Sequence, residues 1–306
     1  MEKHRTLIYE GKEIHYRVEG RDFQDTIVFL HGFLQNLDVW TPYMLKYMRK
    51  MRVIAIDLPG HGYSESFGEI HTMDFMAQVV HAVLEEIGVD QYVMVGHSMG
   101  GYVALAYACR YPYNLRGLSL IHSHALPDSE GKRSMREEDC VKVLENKPNF
   151  VVDFIPQLFS AYSRGTMAQD IKDLQDQCLE TTSEGILAAI RGMGARYSTG
   201  HVLGKLDIPV LFILGKEDPR LPFEVAVSQA LIPKYAEIMV LENVAHMAPW
   251  EERDYVLLRL FNFFRTCYYK LIKKMSDVEQ IEHFTGFGLY DKSFIEVLRN
   301  LDDPTP

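Results

Sequence analysis

The chain of 306 residues is long enough for one large domain or two modest ones with a full core. Its composition, 47% hydrophobic and 24% charged, is that of an ordinary soluble globular protein. A formal charge of −10 argues against a nucleic-acid partner, because phosphate binding draws on clustered Lys and Arg. The start, Met1-Glu2-Lys3-His4-Arg5-Thr6, has no apolar signal segment, and no apolar run is long enough for a transmembrane span, so a cytoplasmic chain is expected. Cys109, Cys140, Cys178 and Cys267 are scattered without CxxC spacing, which favours neither a disulfide framework nor a zinc site.

Thr6 to Tyr9 and Ile14 to Val18 flank Gly11-Lys12 and read as an antiparallel hairpin. The run Thr26-Ile27-Val28-Phe29-Leu30 is that of a strand buried on both faces, and it ends in His31-Gly32-Phe33. An amphipathic helix over Trp40 to Met51 and a buried strand Val53-Ile54-Ala55-Ile56 follow, then the turn-rich loop Asp57 to Ser64. Met73 to Ile87 has helical spacing and stops at Gly88. Tyr92 to Gly96 and Leu118 to Ile121 read as further buried strands around a helix that begins after Ser98. The alternation implies an α/β fold with a mainly parallel, doubly wound sheet.

The alternation breaks over residues 127–207, where charged helical patterns (Met135 to Leu144, Phe150 to Tyr162, Met167 to Leu179, Glu184 to Met193) stand without a convincing strand. An all-helical insertion of this kind reads as a lid over the carboxyl ends of the strands, where open α/β sheets bind ligands. The sheet resumes with Pro209 to Leu214 and Glu237 to Leu241, and a helix runs from Trp250 to about Phe264. The expected organisation is a core of 1–126 and 208–264, a helical lid of 127–207 and an extension of 265–306.

The segment that carries chemistry is Gly96-His97-Ser98-Met99-Gly100, a G-x-S-x-G pattern between strand and helix. Glycines flank the serine because the turn leaves no room for a Cβ, and the Met99 N–H at the helix start faces the place where an oxyanion forms. A serine needs a base, and the base needs a carboxylate to fix its tautomer. Two later strand ends supply them: Asp218 in Gly215-Lys216-Glu217-Asp218-Pro219, with Glu217 as a weaker rival, and His246 in Glu242-Asn243-Val244-Ala245-His246-Met247. The N–H of Phe33 is the second expected oxyanion donor. His31 and His61 read as structural histidines bonded within their loops. His122 and His124, just beyond a strand end, are candidate substrate contacts. The pairs His122/His124 and His31/Asp57 lack a third ligand, so no metal and no cofactor are expected.

These pieces, with Asp57-Leu58-Pro59-Gly60-His61-Gly62-Tyr63-Ser64, resemble the α/β-hydrolase superfamily, in its lid-bearing serine esterase branch, over residues 1 to about 264. The resemblance implies Ser98 as nucleophile, His246 as base, Asp218 as acid, and Phe33 and Met99 as oxyanion donors. Haloalkane dehalogenases of this fold are similar too, but use an aspartate where this chain has Ser98. The tail departs from the family. Thr285-Gly286-Phe287-Gly288-Leu289-Tyr290-Asp291-Lys292 resembles an internal piece of polyprenyl-phosphate-type glycosyltransferases, and Asp291 to Leu301 has an amphipathic pattern. A fused fragment is the favoured reading, with a family-specific helical extension as the alternative. The basic and aromatic stretch Tyr268 to Met275 would give only weak contact with an anionic membrane surface, and a chain cut at Phe264 is expected to keep its activity.

The expectation is therefore a cytoplasmic serine hydrolase acting on a small-molecule ester or similar acyl compound. Its rivals are a carbon–carbon bond hydrolase, a proline-releasing aminopeptidase, a cofactor-free haloperoxidase and a non-catalytic ligand receptor on the same fold. Substrate identity and oligomeric state are left open.

Overall fold

The computed structural model describes residues 4–270. Among the described residues, eight strands, numbered in chain order, form one sheet in the order β1-β2-β4-β3-β5-β6-β7-β8. The hairpin β1 (Arg5–Tyr9) and β2 (Lys12–Glu19) is antiparallel, and β2 joins β4 antiparallel. The remaining strands, β3 (Thr26–Leu30), β4 (Arg52–Ile56), β5 (Tyr92–His97), β6 (Leu115–Ile121), β7 (Val210–Gly215) and β8 (Ala236–Leu241), are parallel to one another. β3, β5 and β7 are buried along their whole length, as their unbroken apolar runs require, whereas the edge strand β8 alternates in burial.

Helices α1 (Thr41–Tyr47), α2 (Met73–Ile87) and α3 (Met99–Arg110) connect the strands of the first half. The stretch expected as one helix from Trp40 to Met51 is instead a 3-10 turn, Leu37–Trp40, followed by the short α1. α2 has the expected limits because both ends are capped. The Thr72 hydroxyl accepts from the Phe75 N–H at 3.1 Å, and Gly88 closes the helix at φ 73°.

Between β6 and β7 lie α4 (Glu130–Phe154), α5 (Ala161–Thr166), α6 (Ala168–Leu179), α7 (Ser183–Gly194) and α8 (Gly200–Leu203). α4 joins the first expected helix to the start of the second across a kink at Asn146 (φ −158°, ψ 83°), whose side chain accepts from the Asn149 N–H at 3.0 Å. The expected helix from Phe150 to Tyr162 breaks at Pro156, which lacks the N–H a continuing helix needs. α9 (Phe223–Ala230), unanticipated from the sequence, follows β7, and α10 (Ala248–Glu251) and α11 (Arg253–Arg265) follow β8. Among the described residues no helix is long and apolar enough to cross a membrane.

Packing does not stop at Phe264. The helix continues as a π turn through Thr266–Lys270; Cys267 is fully buried against Gly117 and Tyr268 is buried as well. The Tyr268 hydroxyl accepts from the Thr26 N–H at 2.9 Å and donates to the Thr26 carbonyl, tying the segment to β3. The expected boundary at Phe264 therefore falls inside a packed segment, and Tyr268 is unavailable to a membrane surface. The glycosyltransferase-like stretch 285–292 and the pattern from Asp291 to Leu301 lie outside the described residues. A chain cut after Phe264 is expected to lose about 3–5 kcal/mol, the scale for removing a buried aromatic side chain. Denaturant midpoints of chains ending at 264 and at 270 check this.

Candidate active site

Parallel strands bring their carboxyl ends to one edge of the sheet, and five of the loops that leave this edge converge. β5 ends in Ser98, which sits at φ 50° and ψ −114°, with its N–H donating to the Ile121 carbonyl at 2.9 Å and its own carbonyl accepting from the Ser123 hydroxyl at 2.9 Å. Gly96 and Gly100 are obligatory here. A Cβ on Gly96 would strike the Gly100 backbone, and one on Gly100 would strike the carbonyls of Leu30 and His31.

The Ser98 hydroxyl donates to His246 Nε2 at 2.8 Å, and His246 Nδ1–H faces both carboxylate oxygens of Asp218 at 2.9 and 2.8 Å. Asp218 Oδ1 also accepts the N–H groups of Arg220 at 2.8 Å and Leu221 at 3.0 Å. Burial by itself would raise the Asp218 pKa. The neighbouring His246 and the hydrogen bonds from His122 and His246 outweigh it and hold the carboxyl well below its ordinary range. Burial lowers the His246 pKa, with Asp218 opposing that shift, which favours the neutral imidazole that a base must be. Glu217, the rival acid, is exposed.

The N–H groups of Phe33 and Met99 find no acceptor among the described residues, and both residues adjoin the cavity or its serine. The Phe33 loop is shaped by Gln35, whose Oε1 accepts the Gly32 N–H at 2.9 Å and whose own N–H returns to the Gly32 carbonyl at 3.2 Å. His31 donates from Nδ1 to the Gly32 carbonyl and accepts the Leu58 N–H at Nε2, while His61 Nδ1 bonds the Pro59 carbonyl, so both histidines hold loops, as expected of them.

His122 and His124 differ from expectation. Neither ring lines the cavity that holds Ser98. His122, at φ 49°, turns beneath the acid: its Nδ1–H donates to Asp218 Oδ2 at 2.9 Å and its Nε2 accepts the Ala248 N–H at 3.3 Å. His124 accepts the Leu126 N–H and lies beside Arg196, and burial together with that guanidinium lowers its pKa to about 3. His122, Asp218 and His246 offer ligand atoms within 4.8 Å of one another, a donor set of metal-binding type. Both histidines, however, spend Nδ1 as a donor to Asp218, while His246 Nε2 accepts the Ser98 hydroxyl and His122 Nε2 the Ala248 N–H, which leaves neither ring a free lone pair for a metal.

Sequence reasoning missed Glu251. Its carboxylate accepts the N–H groups on either side of His246, Ala245 at 3.1 Å and Met247 at 3.2 Å, and that of Ser160 at 2.9 Å. The His246 N–H donates to the Leu158 carbonyl at 2.9 Å, so the loop of the base is bonded to the helical insertion. The available signal was an acid in the short helix opened by Pro249, too common a feature to single out. Glu251→Ala is expected to lower kcat about 10- to 100-fold by loosening His246, and stability by about 3 kcal/mol through lost bonds to a charged acceptor. Turnover and chemical denaturation read the two effects separately.

A cavity of about 170 Å³ opens on Ser98 and His246. Phe154, Leu158 and Met193 of the insertion and Leu221 of the β7 loop supply apolar walls, and Lys132, Arg136, Asp139 and Arg220 supply charged ones.

A family profile described as alpha/beta hydrolase fold matches residues 25–177. The bifunctional esterase/perhydrolase of Acinetobacter calcoaceticus is 27% identical over 270 residues, covering 84% of this chain and 98% of that protein. The 2-hydroxy-6-oxononadienedioate/2-hydroxy-6-oxononatrienedioate hydrolase of Paraburkholderia phymatum is 26% identical, covering 82% and 90%. Among solved structures, a thermophilic esterase from Thermogutta terrifontis superposes with a TM-score of 0.81 at 26% identity, covering 87% and 99%. The chain belongs to the α/β-hydrolase fold family and is a hydrolase enzyme whose relatives include esterases, carbon–carbon bond hydrolases and lipases.

Proposed function

We propose that the protein is a serine hydrolase that cleaves a small ester or related acyl compound through an acyl-enzyme, with residues 127–207 as a lid over the site. The observation that carries this reading is the unbroken hydrogen-bonded chain from Ser98 through His246 to Asp218, open to a cavity. Ser98 Oγ attacks the carbonyl carbon while His246 Nε2 takes the hydroxyl proton. The Phe33 and Met99 N–H groups receive the oxyanion, and the imidazolium returns the proton to the leaving alcohol. Water, deprotonated by the same nitrogen, then releases the acid. Asp218 keeps the proton of His246 on Nδ1, and His122 positions Asp218. No step calls on a metal or redox cofactor.

The test is labelling with a fluorophosphonate alongside turnover of short-chain esters, each repeated on Ser98→Ala. A wild-type protein that neither labels nor turns over esters would support the receptor reading. A carbon–carbon bond hydrolase is the second reading, favoured by the Paraburkholderia phymatum relative; assay of a vinylogous diketone separates it from an esterase. Catalysis requires neutral His246, whose pKa burial places below the ordinary 6.5. The acid limb of activity is therefore expected below pH 6.5, with activity lost as pH falls through that lowered value. A kcat/KM profile with its acid limb above 6.5 would contradict the assignment of the base.

A further inference from the structure

Among the described residues, two of the cations that line the cavity, Arg220 and Lys132, make no ion pair. Arg136 is committed to Asp128, which also receives Arg196 at 2.8 Å. Arg220 differs. Its guanidinium lies over the Phe154 ring, 4.4 Å from the centroid, and makes no ion pair and donates no hydrogen bond among the described residues. Among the described residues, Lys132 Nζ donates only to the backbone carbonyl of Arg220, at 3.0 Å. The nearest acid on the wall, Asp139, takes Lys142 at 3.3 Å.

Partly burying a guanidinium without a bonded carboxylate is unfavourable, and burial pulls the Arg220 pKa down, the charge of Asp139 opposing the shift without cancelling it. The position is nevertheless held, because the Arg220 backbone N–H is bonded to Asp218 and the guanidinium carbon rests over the Phe154 ring. That contact uses none of the guanidinium's N–H donors, and a pair of them matches a carboxylate bidentately. The same cavity holds Ser98.

We propose that the pocket takes an acyl compound bearing a carboxylate, which Arg220 binds with support from Lys132 while the reacting carbonyl lies at Ser98. This rests on the serine hydrolase reading and names its substrate class. For a monoester of a dicarboxylic acid, the Ser98 Oγ–acyl bond forms as the acyl–oxygen bond to the alcohol breaks. Water then cleaves the acyl-enzyme to the dicarboxylate. The small cavity favours a short compound.

The test compares ethyl hydrogen glutarate with ethyl pentanoate, in which a methyl group replaces the carboxylate. The butanoate ester of 3-hydroxypropanoate places the charge on the alcohol side. The full chain is expected to favour one of the anionic esters over ethyl pentanoate by about 10- to 100-fold in kcat/KM, the scale of a charged hydrogen-bonded pair. Arg220→Gln is expected to collapse that ratio mainly through KM, Lys132→Met to reduce it, and Arg220→Lys to restore part of it. Calorimetry of Ser98→Ala with glutaramate and with pentanamide repeats the comparison without turnover. Equal affinity for the two amides, or a ratio of esters unchanged in Arg220→Gln, would overturn the proposal. Ester turnover without charge preference refutes the anion subsite and leaves the hydrolase reading standing. Arg220-dependent glutaramate binding in a protein that turns over no ester does the reverse.

Discussion

Ser98→Ala is expected to lower kcat by about 10⁶ while changing the folding free energy little, since the nucleophile and base act as a unit and the loss of either is close to the loss of both. The hydroxyl makes one bond, to His246 Nε2, and His246 stays anchored by Asp218 without it. Ser98→Gly separates catalysis from backbone strain. At φ 50° and ψ −114° a side chain is held where L-residues seldom go, a cost on the order of 1–3 kcal/mol. Glycine relieves that cost and loses about 0.5–1 kcal/mol to chain entropy. Ser98→Gly should therefore be as inactive as Ser98→Ala and more stable by about 1 kcal/mol. Denaturant midpoints of the two variants measure this directly, and a less stable glycine variant would mean that the turn is not strained.

The strand ends were legible because burial on both faces leaves a strand no polar alternative. β3, β5 and β7 read as apolar runs, and the residues after them, Phe33, Ser98 and Asp218, fall at the edge where parallel strands deliver their loops. α2 was legible to the residue because Thr72 and Gly88 write its ends into the sequence. Residues that act through distant partners left no local trace. Gln35, Glu251 and Tyr268 look like ordinary side chains until folding brings them to Gly32, to the His246 loop and to Thr26. His122 illustrates the limit of strand-end reasoning. Its position beyond β6 was read correctly, but a positive φ turns the ring under Asp218 rather than into the cavity, and φ is not written in a His-Ser-His sequence.

The two histidines on one carboxylate set the outcome for Asp218→Asn. Oδ1 of Asp218 accepts two backbone N–H groups, from Arg220 and Leu221, so the amide oxygen of an asparagine must stay on that side. Its NH₂ then occupies the Oδ2 position and points donors at Nδ1 of both His122 and His246, where a carboxylate now accepts. His122, which bonds Oδ2 alone, must move its proton to Nε2 to receive that donor, and His246, closer to Oδ2 than to an Oδ1 already taken by two N–H groups, is drawn the same way. For His246 that nitrogen can no longer take the Ser98 proton, and kcat is expected to fall about 10⁴-fold. For His122 the relocated proton meets the Ala248 N–H, donor against donor, in a fully buried place. Leaving such a group unsatisfied costs about 1–3 kcal/mol. Asp218→Asn should thus lose stability as well as activity. Asp218→Asn combined with His122→Phe should recover part of the stability while kcat stays low, because the clash is removed and the tautomer of His246 is not. Glu217→Gln, at an exposed side chain, should change neither quantity. A single Asp218→Asn variant as stable as the parent would show that His122 does not donate to this carboxylate.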